Sequence, residues 1–262
     1  MIRERVLEIM RENKILSEAG FGQNFLCDEE IISSIIEAAD IKPGDKALEI
    51  GPGIGALTEP LSKMDIDLTC VEIDKRLVSY LKTQDLKAEI IDSDFLKLKD
   101  YGADEFDVVI SNLPYYVMTD IMMKVFEEAV HARKIVYMVE EAALDRILCE
   151  SGTKSYGPLA VVSELYGDIR IVTKVPGTCF VPQPRTTSSV ICFSCYENRP
   201  DKSLMEFVKK CFAQRRKTLA NNLKGCDKDK FRAWLTETGY EEGIRAEVLE
   251  PCDFRDLYNA LK

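Results

Sequence analysis

Lys46-Ala47-Leu48-Glu49-Ile50-Gly51-Pro52-Gly53-Ile54-Gly55 is a short apolar strand that runs straight into three glycines spaced two apart. Glycines at 51, 53 and 55 let the backbone turn sharply and come close to a ligand, and the helix that follows offers its first N–H groups. Glu72 stands 21 residues after Gly51, within the apolar run at 68–73. A carboxylate at that strand end can accept hydrogen bonds from both hydroxyls of a ribose. A glycine loop alone would also suit a plain tight turn, but the acid at this spacing points to a nucleoside site. The spacing G-x-G-x-G differs from the dinucleotide G-x-G-x-x-G. Asp94 follows a third apolar run at 88–91. It either accepts from an adenine amino group at the same sheet edge or caps the turn before Phe95.

Working outward, apolar runs at 46–50, 68–73, 88–91, 106–110 and 134–139 alternate with helical stretches starting at Lys75, near Thr119 and at Glu141. Such alternation marks a parallel sheet with helices on both faces, an α/β fold. Upstream, residues 1–13 carry helical spacing, and Asp28 is placed to cap a helix reaching Ala39. Between them Gly20-Phe21-Gly22-Gln23-Asn24-Phe25-Leu26 is too glycine-rich for a helix and too aromatic for a passive linker. Past Gly152 come a helix at 156–166 and a strand pair at 169–175 and 188–195, which flank the loop Phe180-Val181-Pro182-Gln183-Pro184. Asn198-Arg199-Pro200 breaks the pattern, and the remainder is helical. The expected domains are 1–197 and 198–262.

The 262 residues are 46% hydrophobic and 31% charged, a globular balance with no apolar stretch near the roughly 20 residues that span a bilayer. A charged amphipathic start makes a cytoplasmic location, with no membrane contact, the expectation. Nine scattered cysteines without a secretory signal suggest reduced thiols, and Cys192 and Cys195 sit three apart on a strand, facing opposite ways. The only histidine is His131, in a connection, so neither a histidine metal site nor a Ser-His-Asp triad is expected, and no metal. The net charge is -10, yet residues 199–232 hold eleven Lys or Arg against four Asp or Glu. That local +7 leaves -17 elsewhere, a basic arm beside an acidic body; a solvated helix face is the alternative.

Asn112-Leu113-Pro114-Tyr115 follows the apolar run at 106–110. A strand ending in an amide, a proline and an aromatic ring offers an acceptor and a stacking surface at one rigid spot, as holding an amino-substituted base requires. The glycine loop with acids ending the second and third strands resembles class I S-adenosylmethionine-dependent methyltransferases, and N-L-P-Y resembles the catalytic motif of adenine-N6 methyltransferases. With Gly22-Gln23-Asn24-Phe25-Leu26, Tyr156-Gly157-x-Leu159, Phe180-x-Pro182-x-Pro184-x-x-x-Ser188 and Phe212-Ala213-Gln214-Arg215-Arg216-Lys217-Thr218-Leu219, the chain is similar across nearly its whole length to the small-subunit rRNA adenine dimethyltransferases, the KsgA family. Erm-type methyltransferases share the N-terminal and catalytic motifs. The last run and the double-proline loop favour the KsgA side.

The resemblance implies a Rossmann-like, mostly parallel seven-stranded sheet with a small C-terminal helical domain that binds rRNA. It implies S-adenosylmethionine as cofactor, with its ribose on Glu72, its adenine near Asp94 and its methionine part near Asn24, Leu26 and Gly51. Gly53 and Asn112 complete the cofactor set. Asn112 and the Leu113 carbonyl would accept from a flipped adenine's N6, with Pro114 shaping the turn, Tyr115 stacking on the base and Phe180 a second aromatic wall. For both rings, ordinary core packing is the alternative. Lys209, Lys210, Arg215, Arg216 and Lys217 would grip rRNA phosphates. The implied partner is small-subunit rRNA in an assembling subunit, bound by a monomer. Departures from the family pattern fall at Glu140-Glu141-Ala142, Thr186-Thr187 and Ser163-Glu164-Leu165-Tyr166. Three functions fit: dimethylation of adjacent adenines near the 3′ end of small-subunit rRNA, a non-catalytic or weakly catalytic assembly factor of the same fold, or an Erm-like large-subunit enzyme.

Overall fold

The computed structural model describes residues 3–15, 23–112 and 117–262. Its first elements are helix α1 (Arg3–Glu12), the two-residue strand β1 (Phe25–Leu26) and α2 (Glu29–Ala39). Asp28 caps α2 as expected, its Oδ1 accepting from the N–H of Glu30 and of Ile31 at 3.1 Å. Then follow β2 (Lys46–Ile50), α3 (Thr58–Leu61), β3 (Asp67–Glu72), α4 (Lys75–Leu81), β4 (Glu89–Asp92), β5 (Val108–Asn112), α5 (Met118–Glu128), β6 (Lys134–Glu140) and α6 (Glu141–Ile147). Next come α7 (Pro158–Tyr166), β7 (Gly167–Val175), β8 (Phe180–Val181) and β9 (Ser188–Cys195). The chain ends in α8 (Lys202–Cys211), α9 (Leu219–Asn222), α10 (Lys228–Thr238) and α11 (Pro251–Leu261).

Seven strands form one sheet in the order β4-β3-β2-β5-β6-β9-β7. Strands β2 to β6 pair in parallel, and β9 runs antiparallel to β6, with Tyr137 opposite Ile191. Ile32, Ile35 and Ala38 of α2 pack on one face against Ala47, Leu68, Cys70, Val108 and Val136. The alternate residues Leu48, Ile50, Val71, Val109, Ile135 and Tyr137 are buried too. Both faces are therefore covered, which is why these strands read as nearly continuous apolar runs. Strand order reverses at β2, which has β3 on one side and β5 on the other, and a crevice opens beyond the carboxyl ends at such a point.

Two local features depart from the sequence pattern. Residues 25–26 and 180–181, which look like loop, pair as an antiparallel ribbon with Phe25 opposite Val181 and Leu26 opposite Phe180. Two residues are too short to show a period. The apolar run at 106–110 also misplaces β5, whose ladder with β6 extends through Ser111 and Asn112. Ser111 is accommodated inside because its Oγ donates to the Ile50 carbonyl at 2.5 Å.

The chain divides into two compact units, Met1–Leu144 with Ile169–Cys195, and Asp145–Asp168 with Tyr196–Lys262. The expected boundary at 197 leaves Asp145–Asp168 in the first domain; in the structure α7 instead packs with α8 and α11. α7 is apolar on most of its surface, with Leu159, Ala160, Val161, Val162, Leu165 and Tyr166 buried, so it serves as a core helix of the second unit. Ahead of it, the Tyr156 hydroxyl donates to the Leu249 carbonyl at 2.8 Å, and its ring meets the Phe212 ring edge-on at 5.9 Å. None of the nine cysteines forms a disulfide among the described residues, and His131 is an exposed turn residue. Among the described residues no cluster of three or more His, Cys, Asp or Glu could hold a metal ion, and no helix is long and apolar enough to cross a membrane.

Candidate active site

The glycine loop takes the conformation that its composition requires. Gly51, Gly53 and Gly55 have φ of 72°, 61° and 87°, in the left-handed region where side chains are strained. At Gly53 space is short as well, since a Cβ would lie 3.3 Å from the Phe25 ring. The loop is held to the next strand twice. The Gly51 N–H donates to the Val71 carbonyl at 2.9 Å, and the Gly53 N–H donates to Glu72 Oε2 at 3.0 Å. The other Glu72 oxygen accepts from the N–H groups of Ile73 and Asp74, both at 2.9 Å. Burial pushes the Glu72 carboxyl up from its ordinary value, and the N–H groups of Asp74, Gly53 and Ile73 pull against that rise.

Beside this loop, beyond the carboxyl ends of β2, β3 and β5, lies a cavity of about 320 Å³. Its lining includes Asn24, Leu26, Gly51, Gly53, Glu72, Asp94 and Asn112, so it brings together all seven residues expected to hold the cofactor. Size and lining fit a nucleoside-bearing ligand such as S-adenosylmethionine: apolar walls, a carboxylate at one strand end and a glycine cradle that a Cβ would obstruct. Asp94 caps a turn and also lines the cavity. Its Oδ1 caps a 3-10 turn by accepting from Leu96 N–H at 3.0 Å, Oδ2 pairs with Lys97 at 3.2 Å, and the residue still lines the cavity.

Asn112 ends β5 at the cavity, where its Nδ2 donates to the Asn24 carbonyl at 3.5 Å. Its Oδ1 has no hydrogen-bond partner among the described residues. Leu113, Pro114 and Tyr115 lie outside the described residues. Phe180 is 1% exposed and packs with Leu26, Val175 and Cys179, beside the cavity-lining Leu26 and not itself among the lining residues. Its burial follows from the β1–β8 ribbon, which sets Phe180 opposite Leu26. The basic residues form a separate set in the second unit. Lys209, Lys210, Arg215, Arg216 and Lys217 are all exposed, but Arg215 is engaged, donating to Glu247 Oε2 at 3.0 Å and to the Thr153 carbonyl at 2.9 Å. Lys210, Arg216 and Lys217 have no ion-pair partner among the described residues. Asn222 braces the turn that carries them, accepting from Gln214 N–H at 3.0 Å and donating to the Cys211 carbonyl at 2.7 Å.

Several contributors were not singled out by sequence. Ile73 is 46% exposed and lines the cavity, an apolar side chain left open where a planar ring can lie against it. Its signal was available, as the residue directly after the strand-ending acid. Leu96 and Ile121 add apolar wall. Behind them Lys124 donates to the Leu98 carbonyl at 2.9 Å and pairs with Glu128 at 2.9 Å, with the Phe95 and Tyr101 rings 5.5 and 5.6 Å away. These contacts fasten the Asp94 loop to α5, and no local motif announces them.

Glu49, at the foot of the cavity, is 2% exposed. Its Oε2 accepts from the Thr58 hydroxyl at 2.7 Å, and burial pushes its carboxyl up to about 7 against that hydrogen bond. An ordinary Glu in the unfolded chain ionises near 4.5, so between pH 4.5 and about 7 the unfolded state releases a proton that the folded state keeps. Stability is therefore expected to fall as pH rises through that window, by on the order of 3 kcal/mol for this group. Glu49→Gln, which keeps the Thr58 bond, should flatten the pH dependence of urea midpoints there; an unchanged slope would refute the assignment.

Fold and site together define a class I S-adenosylmethionine-dependent methyltransferase: a sheet reversing at β2, a glycine loop at that reversal and an acid bracing it from β3. The chain matches the ribosomal RNA adenine dimethylase family over residues 16–262, and it belongs to that family. It is 37% identical to the ribosomal RNA small subunit methyltransferase A of Levilactobacillus brevis, across 98% of this chain and 94% of that protein. To the protein of the same name from Malacoplasma penetrans it is 38% identical, across 97% of each. In fold it is similar to a dimethyladenosine transferase from Plasmodium falciparum, with TM-score 0.69, 23% identity and coverage of 89% of this chain and 95% of the other. It also resembles the 23S rRNA methyltransferase ErmE, with TM-score 0.63, 23% identity and coverage of 91% and 99%.

Proposed function

We propose that this protein transfers methyl groups from S-adenosylmethionine to N6 of adenines in small-subunit rRNA, dimethylating two adjacent adenines near the 3′ end during subunit assembly. The observation that carries this reading is the Asn112 amide, held at the end of β5 beside the glycine loop with its Oδ1 unengaged among the described residues. Family membership over residues 16–262 and small-subunit relatives at 37–38% identity support the substrate. The cofactor supplies an electrophilic methyl group. Glu72 holds the Gly51–Gly55 loop in shape and has remaining lone pairs for a ribose, Asp94 and Ile73 bound the adenine end, and Asn24, Leu26 and Gly51 bound the other. Asn112 Oδ1 and the Leu113 carbonyl accept from the target N6, turning its lone pair toward the methyl carbon, with Tyr115 stacked on the flipped base. No histidine base is needed, because orientation and water exclusion lower the barrier. The protein acts as a monomer in the cytoplasm.

A methyl-transfer assay on undermethylated small subunits, followed by mapping of modified adenines, tests this. Two adjacent dimethyladenosines near the 3′ end are expected, and binding without transfer would overturn it.

Phosphate contact is assigned to Lys210, Arg216 and Lys217, because Arg215 is engaged within its own unit. Reversing the charge of these three should weaken subunit binding and lower the slope of log affinity against log salt by roughly one for each phosphate no longer neutralised. An unchanged slope would exclude them. Arg215→Glu should instead lower the melting temperature, since it removes the hydrogen bonds to Glu247 and Thr153.

A further inference from the structure

We propose that Asp74 is a positioning residue for cofactor binding: it latches Gln23, and with it the Asn24–Leu26 wall of the cavity, to the turn that carries Glu72. The inference rests on the methyltransferase reading above. Gln23 Nε2 donates to Asp74 Oδ2 at 3.1 Å across 51 positions of sequence, the one side-chain hydrogen bond of Gln23 among the described residues. Asp74 is itself fixed from two directions. Arg76 donates from Nε to Oδ1 at 3.0 Å and from Nη2 to Oδ2 at 2.7 Å, while the Asp74 N–H donates to Glu72 Oε1 at 2.9 Å. The carboxylate that grips Gln23 therefore shares a turn with the carboxylate that braces the glycine loop.

The chemistry of the pair also fixes which way the Gln23 amide faces. The Arg76 guanidinium holds the Asp74 carboxyl down at about 2, so at neutral pH Asp74 only accepts, and the Gln23 NH2 must point at it. Gln23 Oε1 is then turned away and buried without a hydrogen-bond partner among the described residues, on a residue that lines the cavity. A buried unpaired acceptor is costly, so the latch outweighs a real penalty. What it secures is a junction: Asn24 offers its carbonyl to Asn112, and the Phe25 ring lies where a Cβ on Gly53 would meet it. The β1–β8 ladder holds only residues 25 and 26, so Gln23 has no strand partner of its own.

Capping of α4 is a separate duty, in which the Arg76 N–H donates to Asp74 Oδ1 at 2.9 Å. Asp74→Asn keeps that cap, because asparagine caps as well as aspartate, but it sets an NH2 beside Arg76 Nη2 and replaces the charge-assisted bond to Gln23 with a neutral one that forms only when the Gln23 amide turns over. S-adenosylmethionine binding by calorimetry should weaken about tenfold in Asp74→Asn and in Gln23→Met, while kcat at saturating cofactor moves less than about twofold. Amide exchange of residues 24–27 in the cofactor-free protein should accelerate in both. The double variant Gln23→Met with Asp74→Asn should lose no more than either single, and Gln23→Glu with Asp74→Asn, which restores a charge-assisted bond with the carboxylate now on residue 23, should recover affinity. Additive losses, an unrecovered swap, or singles that bind within about twofold of wild type would overturn the latch. A wild-type protein that fails to bind S-adenosylmethionine would overturn the methyltransferase reading, and the latch with it.

Discussion

Asn112→Ala is expected to slow methyl transfer on the order of 10²–10³-fold while S-adenosylmethionine affinity falls by less than about tenfold. The disparity follows from what each half of the amide does. Nδ2 makes one long contact, 3.5 Å to the Asn24 carbonyl, so its removal disturbs the cofactor side little. Oδ1 is uncommitted among the described residues and is the acceptor available to a target amine, so its removal takes away an interaction that grows as the N6 lone pair turns toward the methyl group. Asn112→Asp keeps an acceptor but gives up the donor and adds charge, and it should be impaired in both respects. Single-turnover transfer onto undermethylated subunits, beside calorimetric cofactor binding, reads the two effects apart. An alanine variant within tenfold of the wild-type rate would remove Asn112 from the chemistry.

Glu72→Gln is expected to weaken S-adenosylmethionine binding by about 100-fold, the worth of two hydrogen bonds to a charged acceptor. The substitution preserves shape, and that makes it informative. Glu72 accepts on both oxygens, from Gly53 N–H on one and from Ile73 and Asp74 N–H on the other. A glutamine has one oxygen, so one of its sides must turn an NH2 toward a backbone donor. Either the glycine loop or the turn after β3 then loses its brace, and the ribose loses an acceptor. Calorimetry shows the loss directly. A glutamine variant that binds within threefold of wild type would mean that Glu72 shapes the loop without contacting the ligand.

The sheet was legible because its strands are buried on both faces: runs such as Ala47-Leu48 and Val108-Val109-Ile110 are apolar without interruption, and helices must lie between them. The cofactor residues were legible for another reason, since glycines and acids at strand ends serve backbone geometry and hydrogen bonding that few residue types can supply. Phe180 shows where this stops. An aromatic in a proline-rich loop fits a base wall and a core ring equally well, and its burial beside Leu26, 154 positions earlier, is a long-range pairing that no local pattern shows. Arg215 shows the same limit for charge, because its partners Glu247 and Thr153 are remote in sequence. The tie between Lys124 and the Asp94 loop is likewise a product of packing between distant segments.

The β1–β8 ribbon and the place of β9 between β6 and β7 also set an order in time. A chain emerging from the ribosome has its glycine loop by residue 55 and the strand-ending acid by residue 72, but Phe25 and Leu26 wait for Phe180 and Val181 before they can pair. Strands β2, β3 and β4 can assemble early, since their pairings join sequence neighbours, and β5 then adds beside β2. The Asn24–Leu26 wall of the cavity is pinned only by a strand made more than a hundred positions after Glu72. A nascent chain halted before Phe180 therefore carries the fingerprint of a cofactor site without its finished wall, and competence arrives late in synthesis, all at once.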